Sequence, residues 1–224
     1  MPISTTSTAA IVLAAGSSSR MGNGRHKLLL PLGGRPVIAH VIDTVLASQA
    51  RPVVVVLGHQ ADSVRVALAH VHNDILVVEN PAYRQGMSSS LHAGIRALQA
   101  WKGIKHTHMI DSAVILLGDQ PLLTPRIINA LIVARQTTQQ PIVASHYAGQ
   151  RGNPLLFAAS IFPELLEVTG DEGARSVVAR HRAEVAAVEQ GNSIIQYDVD
   201  TWDAYQQVVA IWEQQHNDRE GVSE

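Results

Sequence analysis

The 224-residue sequence has no cysteine, so disulfides, thiolate-bound metals and cysteine nucleophiles are excluded. Charge is scarce as well. Asp, Glu, Lys and Arg make up 16% of the chain, against about 25% in an average domain, which leaves Gln, Ser, Thr and His to carry much of the surface. There is no basic excess either: the net charge is −2 with neutral histidine and the pI is near 6.6, whereas nucleic-acid binders usually show a basic face. The apolar N-terminal run from Ala9 to Ala15 is far shorter than the roughly 20 residues that span a bilayer, and it lacks the basic flank of a secretory signal. The expectation is a soluble cytoplasmic protein with neither a nucleic-acid nor a membrane partner.

What is present is an ordinary hydrophobic fraction, 46%, on a chain long enough to bury a real core. The length suits one α/β domain over 1–224, with a core of 9–215 and a tail, 216–224, that has nothing to bury and is expected to fray. Strand-like and helix-like segments alternate. Residues 9–14 are a short apolar run stopped by Gly16, and Pro52 to Leu57 is a continuous β-branched run stopped by Gly58; both read as buried strands. Further strands are expected over 75–78, 113–117, 141–145, 154–157, 184–188 and 194–198. Pro36 stands as a first helical residue ahead of Val37, Ile38, Val41, Ile42 and Val45 at helical spacing, and Thr124-Pro125 marks a second helix start. Other helices are expected near 60–70, 88–101, 160–168, 172–181 and 201–215, with a polar surface loop over 102–112. Such alternation implies a mainly parallel sheet with helices on both faces, and ligands in such sheets bind beyond the carboxyl ends of the strands.

That rule directs attention to Leu13-Ala14-Ala15-Gly16-Ser17-Ser18-Ser19-Arg20-Met21-Gly22, followed by Lys27. Small residues let backbone N–H groups approach a phosphate, and Arg20 and Lys27 supply compensating charge; the glycines alone would equally suit an ordinary flexible loop. The dinucleotide fingerprint is excluded because a third glycine is missing, and the P-loop because Leu28 rather than Ser or Thr follows Lys27. Asp119 lies in Gly118-Asp119-Gln120-Pro121, just after a strand, where a carboxylate can either hold Mg²⁺ or simply build a turn. Asp200, in Asp198-Val199-Asp200-Thr201, can serve the same metal or cap the next helix. Gly86 to Ser90 precede a helix, and one of their serines is expected to cap it. Arg151-Gly152-Asn153-Pro154 can be a hairpin turn. Gly170 to Arg175 open a helix whose free N–H groups suit an anion. His70/His72 and His106/His108 lack any partner motif for zinc and read as structural or solvated.

The string LAAGSSSRMG followed by Lys27 resembles the signature of the MobA-like nucleotidyltransferases. The resemblance continues in order through Gln85–Gly94, Leu116–Pro121, Arg151–Phe157, Gly170–Arg175 and Asp198–Thr201, covering nearly the whole chain. It departs at the spacing of Lys27 from Met21, where Arg25 is an alternative cation, and at Asn153, where many members carry His. The family implies a Rossmann-like, three-layer α/β/α fold of the nucleotide-diphospho-sugar transferase type. It further implies nucleotide binding by Leu13, Ala14, Ala15, Gly16, Ser17, Arg20, Lys27, Gly86, Ser88, Ser89 and Gly118. Lys27, Arg20 and Asp119 would be catalytic, and Asp119 and Asp200 would hold Mg²⁺, with Asp198 structural. The second substrate would meet Arg151, Gly152, Asn153, Pro154, Gly170 and Asp171.

Within that family the likeness is to enzymes that move CMP from CTP to the molybdopterin cofactor and release pyrophosphate, with a molybdoenzyme or its maturation chaperone as the implied recipient. A guanylyltransferase for the same cofactor, or a cytidylyltransferase for another phosphorylated acceptor, is the alternative. Guanylyltransferases of the group resemble LAGG where this chain has Leu13-Ala14-Ala15-Gly16, so Ala15 points to a pyrimidine base. A non-catalytic cofactor carrier is the rival of another class, and it would have no need of Lys27 and Asp119.

Overall fold

A computed structural model describes residues 5–22, 24–101, 108–191 and 197–220. The strands of its main sheet are β1 (Thr5–Ala14), β4 (Val53–Leu57), β5 (Leu76–Glu79), β6 (His108–Leu117), β7 (Ile142–Tyr147), β8 (Gln150–Ala158) and β9 (Val185–Glu189), in spatial order β5-β4-β1-β6-β8-β7-β9. All pairings are parallel except those of β8, which runs antiparallel between β6 and β7. A small hairpin, β2 (Pro31–Leu32) with β3 (Arg35–Pro36), stands apart. The helices are α1 (Val37–Leu46), α2 (Ala61–Ala67), α3 (Met87–Ala100), α4 (Pro125–Thr138), α5 (Phe162–Leu165), α6 (Arg175–Arg180) and α7 (Trp202–Glu220).

The period-2 geometry of strands sorts the core into two layers. Ala10, Val12, Val53, Val55, Val114 and Leu116 face α1, α2 and α4. Their neighbours Ile11, Val54, Val56, Ala113 and Ile115 face α3, α5 and α6. The expected three-layer α/β/α fold is what forms. A third cluster unites Met21, Leu32, Val37, Leu122 and Val199 with Tyr205 and Val208 of α7. It therefore ties the signature loop to the Asp198–Thr201 segment. Gly33, at φ 53°, lets the hairpin lie against the Trp212 ring, which a Cβ there would meet at 2.1 Å.

Several boundaries differ from the sequence reading for physical reasons. β1 starts at Thr5 and β6 at His108, so the loop expected to reach 112 is strand in its second part; 102–107, with His106, lie outside the described residues. The two extensions pair with each other, Thr5–Ser7 against His108–Ile110, and Thr8 Oγ1 and Ser112 Oγ are hydrogen-bonded at 2.9 Å. No apolar pattern announces such a pairing. Pro36 ends the small hairpin and precedes the helix rather than opening it. The strand expected over 194–198 falls largely outside the described residues, and residues 197–200 are irregular. α7 continues past the expected end at 215 to Glu220, with His216 stacked on Trp212 at 3.7 Å between ring centroids; residues 221–224 lie outside the described residues.

Candidate active site

A cleft of about 780 Å³ opens beyond the carboxyl ends of β1 and β6. One wall is the signature loop, from Leu13 to Arg20, with Lys27. The far wall is made by Asn153 of β8, by Gly86, Met87 and Ser90 at the start of α3, and by Asp171 to Arg175. Gly16 has nothing within 4 Å of the position a Cβ would take, so the backbone there faces open space that a ligand can enter. Ser18 adopts a left-handed conformation, φ 56°, and its hydroxyl accepts the Lys27 N–H at 3.1 Å. That bond closes the loop over the nine residues separating the two positions.

The floor is ionic. The Lys27 ammonium donates to Asp119 Oδ2 and, at 2.6 Å, to Asp200 Oδ1, while Arg20 Nη2 lies 3.0 Å from Asp200 Oδ2. Side-chain exposure is 15% for Lys27 and 9% for Asp119, against 70% for Arg20. Burial alone would lower the Lys27 pKa, but Asp119 first and Asp200 second more than offset it, so the net shift is upward and the ammonium is secure. Asp119 Oδ1 is buried without a hydrogen-bond partner. Asp198 accepts from Gln120 Nε2 at 2.6 Å. Its carboxyl is pushed up to about 6, chiefly by burial and next by the nearby Asp119 charge. The Val199 N–H donates to the Asp119 carbonyl at 3.0 Å, and Val199 is fully buried in the third cluster. Asp200 is thereby held opposite Asp119.

The dual readings now separate. Asp200 is not the cap of α7; that role falls to Thr201, whose hydroxyl accepts the Ala204 N–H at 3.2 Å. Arg25 does not join the cluster, because its guanidinium lies 4.1 Å over the Trp202 ring. No serine caps α3. Its Met87 N–H is taken by Asp171 Oδ1 at 3.2 Å and its Ser88 N–H by the Gly170 carbonyl at 3.1 Å. Ser89 bonds instead to the carbonyls of Ala82 and Gly86, and Asn80 Nδ2 donates to both Ser89 and Ser90. The helix expected from 172 begins only at Arg175, because Gly170 to Ala174 fold across the start of α3.

The β7–β8 turn is Ala148-Gly149, so Arg151 to Pro154 lie inside β8 rather than in a turn. Of these, Asn153 lines the cleft, and its carbonyl accepts from the Tyr147 hydroxyl at 2.8 Å. Arg151, Gly152, Pro154, Gly170, Ser88, Ser89 and Gly118 do not line it. Gly118 packs where a Cβ would lie 3.0 Å from Ile38 and 3.2 Å from Ala14. Tyr83 and Arg84 line the cleft although no motif marks them, and Arg175, the last residue of the Gly170–Arg175 motif, lines it as well. The i,i+3 alternation of an α-helix cannot flag Tyr83 and Arg84, since they sit in a one-turn 3-10 segment, Tyr83–Gln85. Among the described residues no helix is long and apolar enough to cross a membrane.

The sequence profile of the MobA-like NTP transferase domain matches residues 10–185. Over 124 residues, 55% of this chain, the sequence is 40% identical to the bifunctional protein GlmU of Halorhodospira halophila (strain DSM 244 / SL1), of which the match covers 24%. The chain thus spans about a quarter of the length of the curated relatives it matches. The crystal structure of Rv0371c from Mycobacterium tuberculosis H37Rv is similar at 28% identity and a TM-score of 0.76, covering 92% of this chain and 98% of that one. The same Mycobacterium protein is also known in complex with manganese, with a TM-score of 0.72 at 28% identity over 92% of this chain and 98% of that one. A nucleotidyl transferase from Methanothermobacter thermautotroptrophicus, Mth528, shares the fold at 24% identity, with a TM-score of 0.77 over 93% of this chain and 99% of that one. With its signature loop, ionic floor and matching profile, the chain belongs to the MobA-like NTP transferase family.

Proposed function

We propose that the chain acts as one unit that transfers CMP from CTP to the phosphate of the molybdopterin cofactor and releases pyrophosphate. The observation that carries the reading is the convergence of Lys27, Asp119, Asp200 and Arg20 on the floor of the cleft beneath the signature loop. A carrier would have no use for it. Backbone N–H groups of Ala14 to Ser18 receive the triphosphate. A phosphate oxygen of the acceptor attacks the α-phosphorus in line. As that P–O bond forms, the bond to the bridging α–β oxygen breaks and its electron pair leaves with pyrophosphate. The attacking oxygen is already ionised near neutral pH, so no general base is required. The residues act by positioning and by charge stabilisation, with Lys27 and Arg20 on the departing pyrophosphate.

The donor set suits a hard divalent cation. Asp119 and Asp200 offer carboxylate oxygens, one of them buried and unpartnered. Among the described residues no group of three His, Cys, Asp or Glu completes a cage, and Mg²⁺ characteristically leaves positions for water and substrate phosphate. Mg²⁺ on this pair would neutralise charge at the α-phosphate.

Asn153 and Asp171, on the far wall, are placed for the second substrate, with Arg151, Gly152, Pro154 and Gly170 supporting them. Ala15 is 4% exposed, and an added Cβ on Gly58 would lie 2.7 Å from its methyl. Ala15 also lines the cleft, where its methyl narrows the approach of a base to the backbone and favours a pyrimidine. The product would pass to a molybdoenzyme or its maturation chaperone in the cytoplasm. The test is pyrophosphate release with each of the four NTPs, with and without molybdopterin cofactor. The expected result is cofactor-dependent release that is fastest with CTP, with Ala15→Gly shifting the ratio toward GTP without inverting it. A wild-type preference for GTP overturns the cytidylyl assignment, and release indifferent to the cofactor overturns the acceptor.

A further inference from the structure

We propose that the Lys27 ammonium is the resident cation of the Asp119–Asp200 pair, so that a divalent metal is admitted only together with a nucleoside triphosphate that draws Lys27 away. The inference rests on the metal assignment above and concerns how that site is filled.

The Lys27 ammonium occupies the space between the two carboxylates, bonded to one oxygen of each. A metal held by the same two carboxylates would need that space. With Arg20 on the other oxygen of Asp200, the two acids already face two bases. A divalent cation added while Lys27 stays in place would set its charge beside that ammonium, in a pocket where Asp119 is 6% exposed and like charges are poorly screened. A triphosphate reverses the balance. It brings several negative charges to the loop beside Lys27, and the unbranched lysine stem can swing to them. Asp119 and Asp200 would then be free to hold a divalent cation, for which the phosphate oxygens would be further ligands. Metal and nucleotide therefore bind with positive coupling, and Lys27 carries part of it.

The test measures Mn²⁺ binding by the loss of its free electron paramagnetic resonance signal, without nucleotide and with a non-transferable α,β-methylene CTP. Without nucleotide, Lys27→Met should bind Mn²⁺ at least about tenfold more tightly than wild type, within the roughly 5–150-fold range of coupled sites. Arg84→Gln, which removes a cleft cation away from the carboxylates, should change it by less than about twofold. With the analogue present, the advantage of Lys27→Met should shrink or vanish. Equal or weaker binding by Lys27→Met, or an Arg84→Gln effect as large, overturns the proposal. Should Lys27→Met fail to fold, wild-type protein decides the matter. Mn²⁺ should raise its Tm only when the analogue is present, and a rise with Mn²⁺ alone overturns the proposal. Mn²⁺ binding that fails in both proteins even with the analogue, or that ignores Asp119→Asn, removes the metal assignment itself and this inference with it.

Discussion

Two clusters of opposite charges on this molecule use similar residue types and do different things. On the cleft floor, Lys27, Asp119 and Asp200 are drawn together from positions 92 and 173 residues apart in the chain. On the outside, Glu164 meets Arg180 at 3.0 Å and His181 at 2.8 Å, and His181 also reaches Glu184 at 2.9 Å. The outer group joins neighbouring elements at the surface, with Arg180 and Glu184 exposed and Glu164 and His181 partly so, where water screens each pair and its net worth is small. The inner group is largely desolvated, so each charge is held only by its partners and breaking one pair strands another. Burial, more than distance, separates the two clusters.

The largest way to break this contrast is Asp119→Asn. It should lower turnover by about 10²–10³-fold, the scale of losing one preorganised charge-stabilising group, while leaving the fold intact because Lys27 keeps Asp200 as its partner and the amide occupies the same volume. Turnover in single-turnover assays at limiting Mg²⁺ and the far-UV circular dichroism spectrum check the two halves. Wild-type turnover would show that Asp119 is a turn residue only.

The next prediction concerns Asp198, whose carboxyl sits at about 6 in the folded chain against an ordinary 3.8. A raised carboxylate pKa means that the fold binds this proton better than the unfolded chain does. The associated stability is complete below pH 3.8 and is lost as pH rises through about 6. Asp198→Asn, which keeps an acceptor for Gln120, should therefore stabilise the metal-free protein above pH 6 by on the order of 1 kcal/mol and do little at pH 4. Urea midpoints at the two pH values measure it, and a variant less stable at pH 8 contradicts the assignment.

The smallest effect belongs outside. Hydrogen bonds donated to Glu184 first and Glu164 second raise the His181 pKa above its ordinary 6.5. That contribution is fully present below pH 6.5 and fades as pH rises through the higher folded value. Glu164→Gln should cost less than about 1 kcal/mol at pH 6 and still less at pH 8.5, and should weaken with salt. Thermal melts at two salt concentrations check it. A loss as large as any at the cleft floor would mean that burial is not what distinguishes the clusters.

Much of the fold was legible because its signal is local. The run Val53 to Leu57 is buried at every position, as a strand covered on both faces must be, and α1 and α4 follow their apolar periodicity. The signature loop and Asp119 were legible for the same reason: each is a short string at a strand end. What escaped depends on partners far away in sequence. Asp171 reads as a first-turn acid of the helix that follows, yet its carboxylate holds the start of α3, whose Met87 is 84 positions distant. Asn80, 4% exposed, orders the serine loop although nothing in its own neighbourhood marks it. Arg25 reads as a phosphate-side cation until Trp202 takes it.

The sequence alone determined the layered sheet, the small-residue loop after the first strand and the supply of acids and bases around it, since backbone periodicity and turn preference act over a few residues. Only the tertiary structure decided which of those acids meet Lys27. That outcome depends on Met21 and Val199 burying together against α7, and hydrophobic burial is non-directional, so no spacing within either segment encodes the meeting.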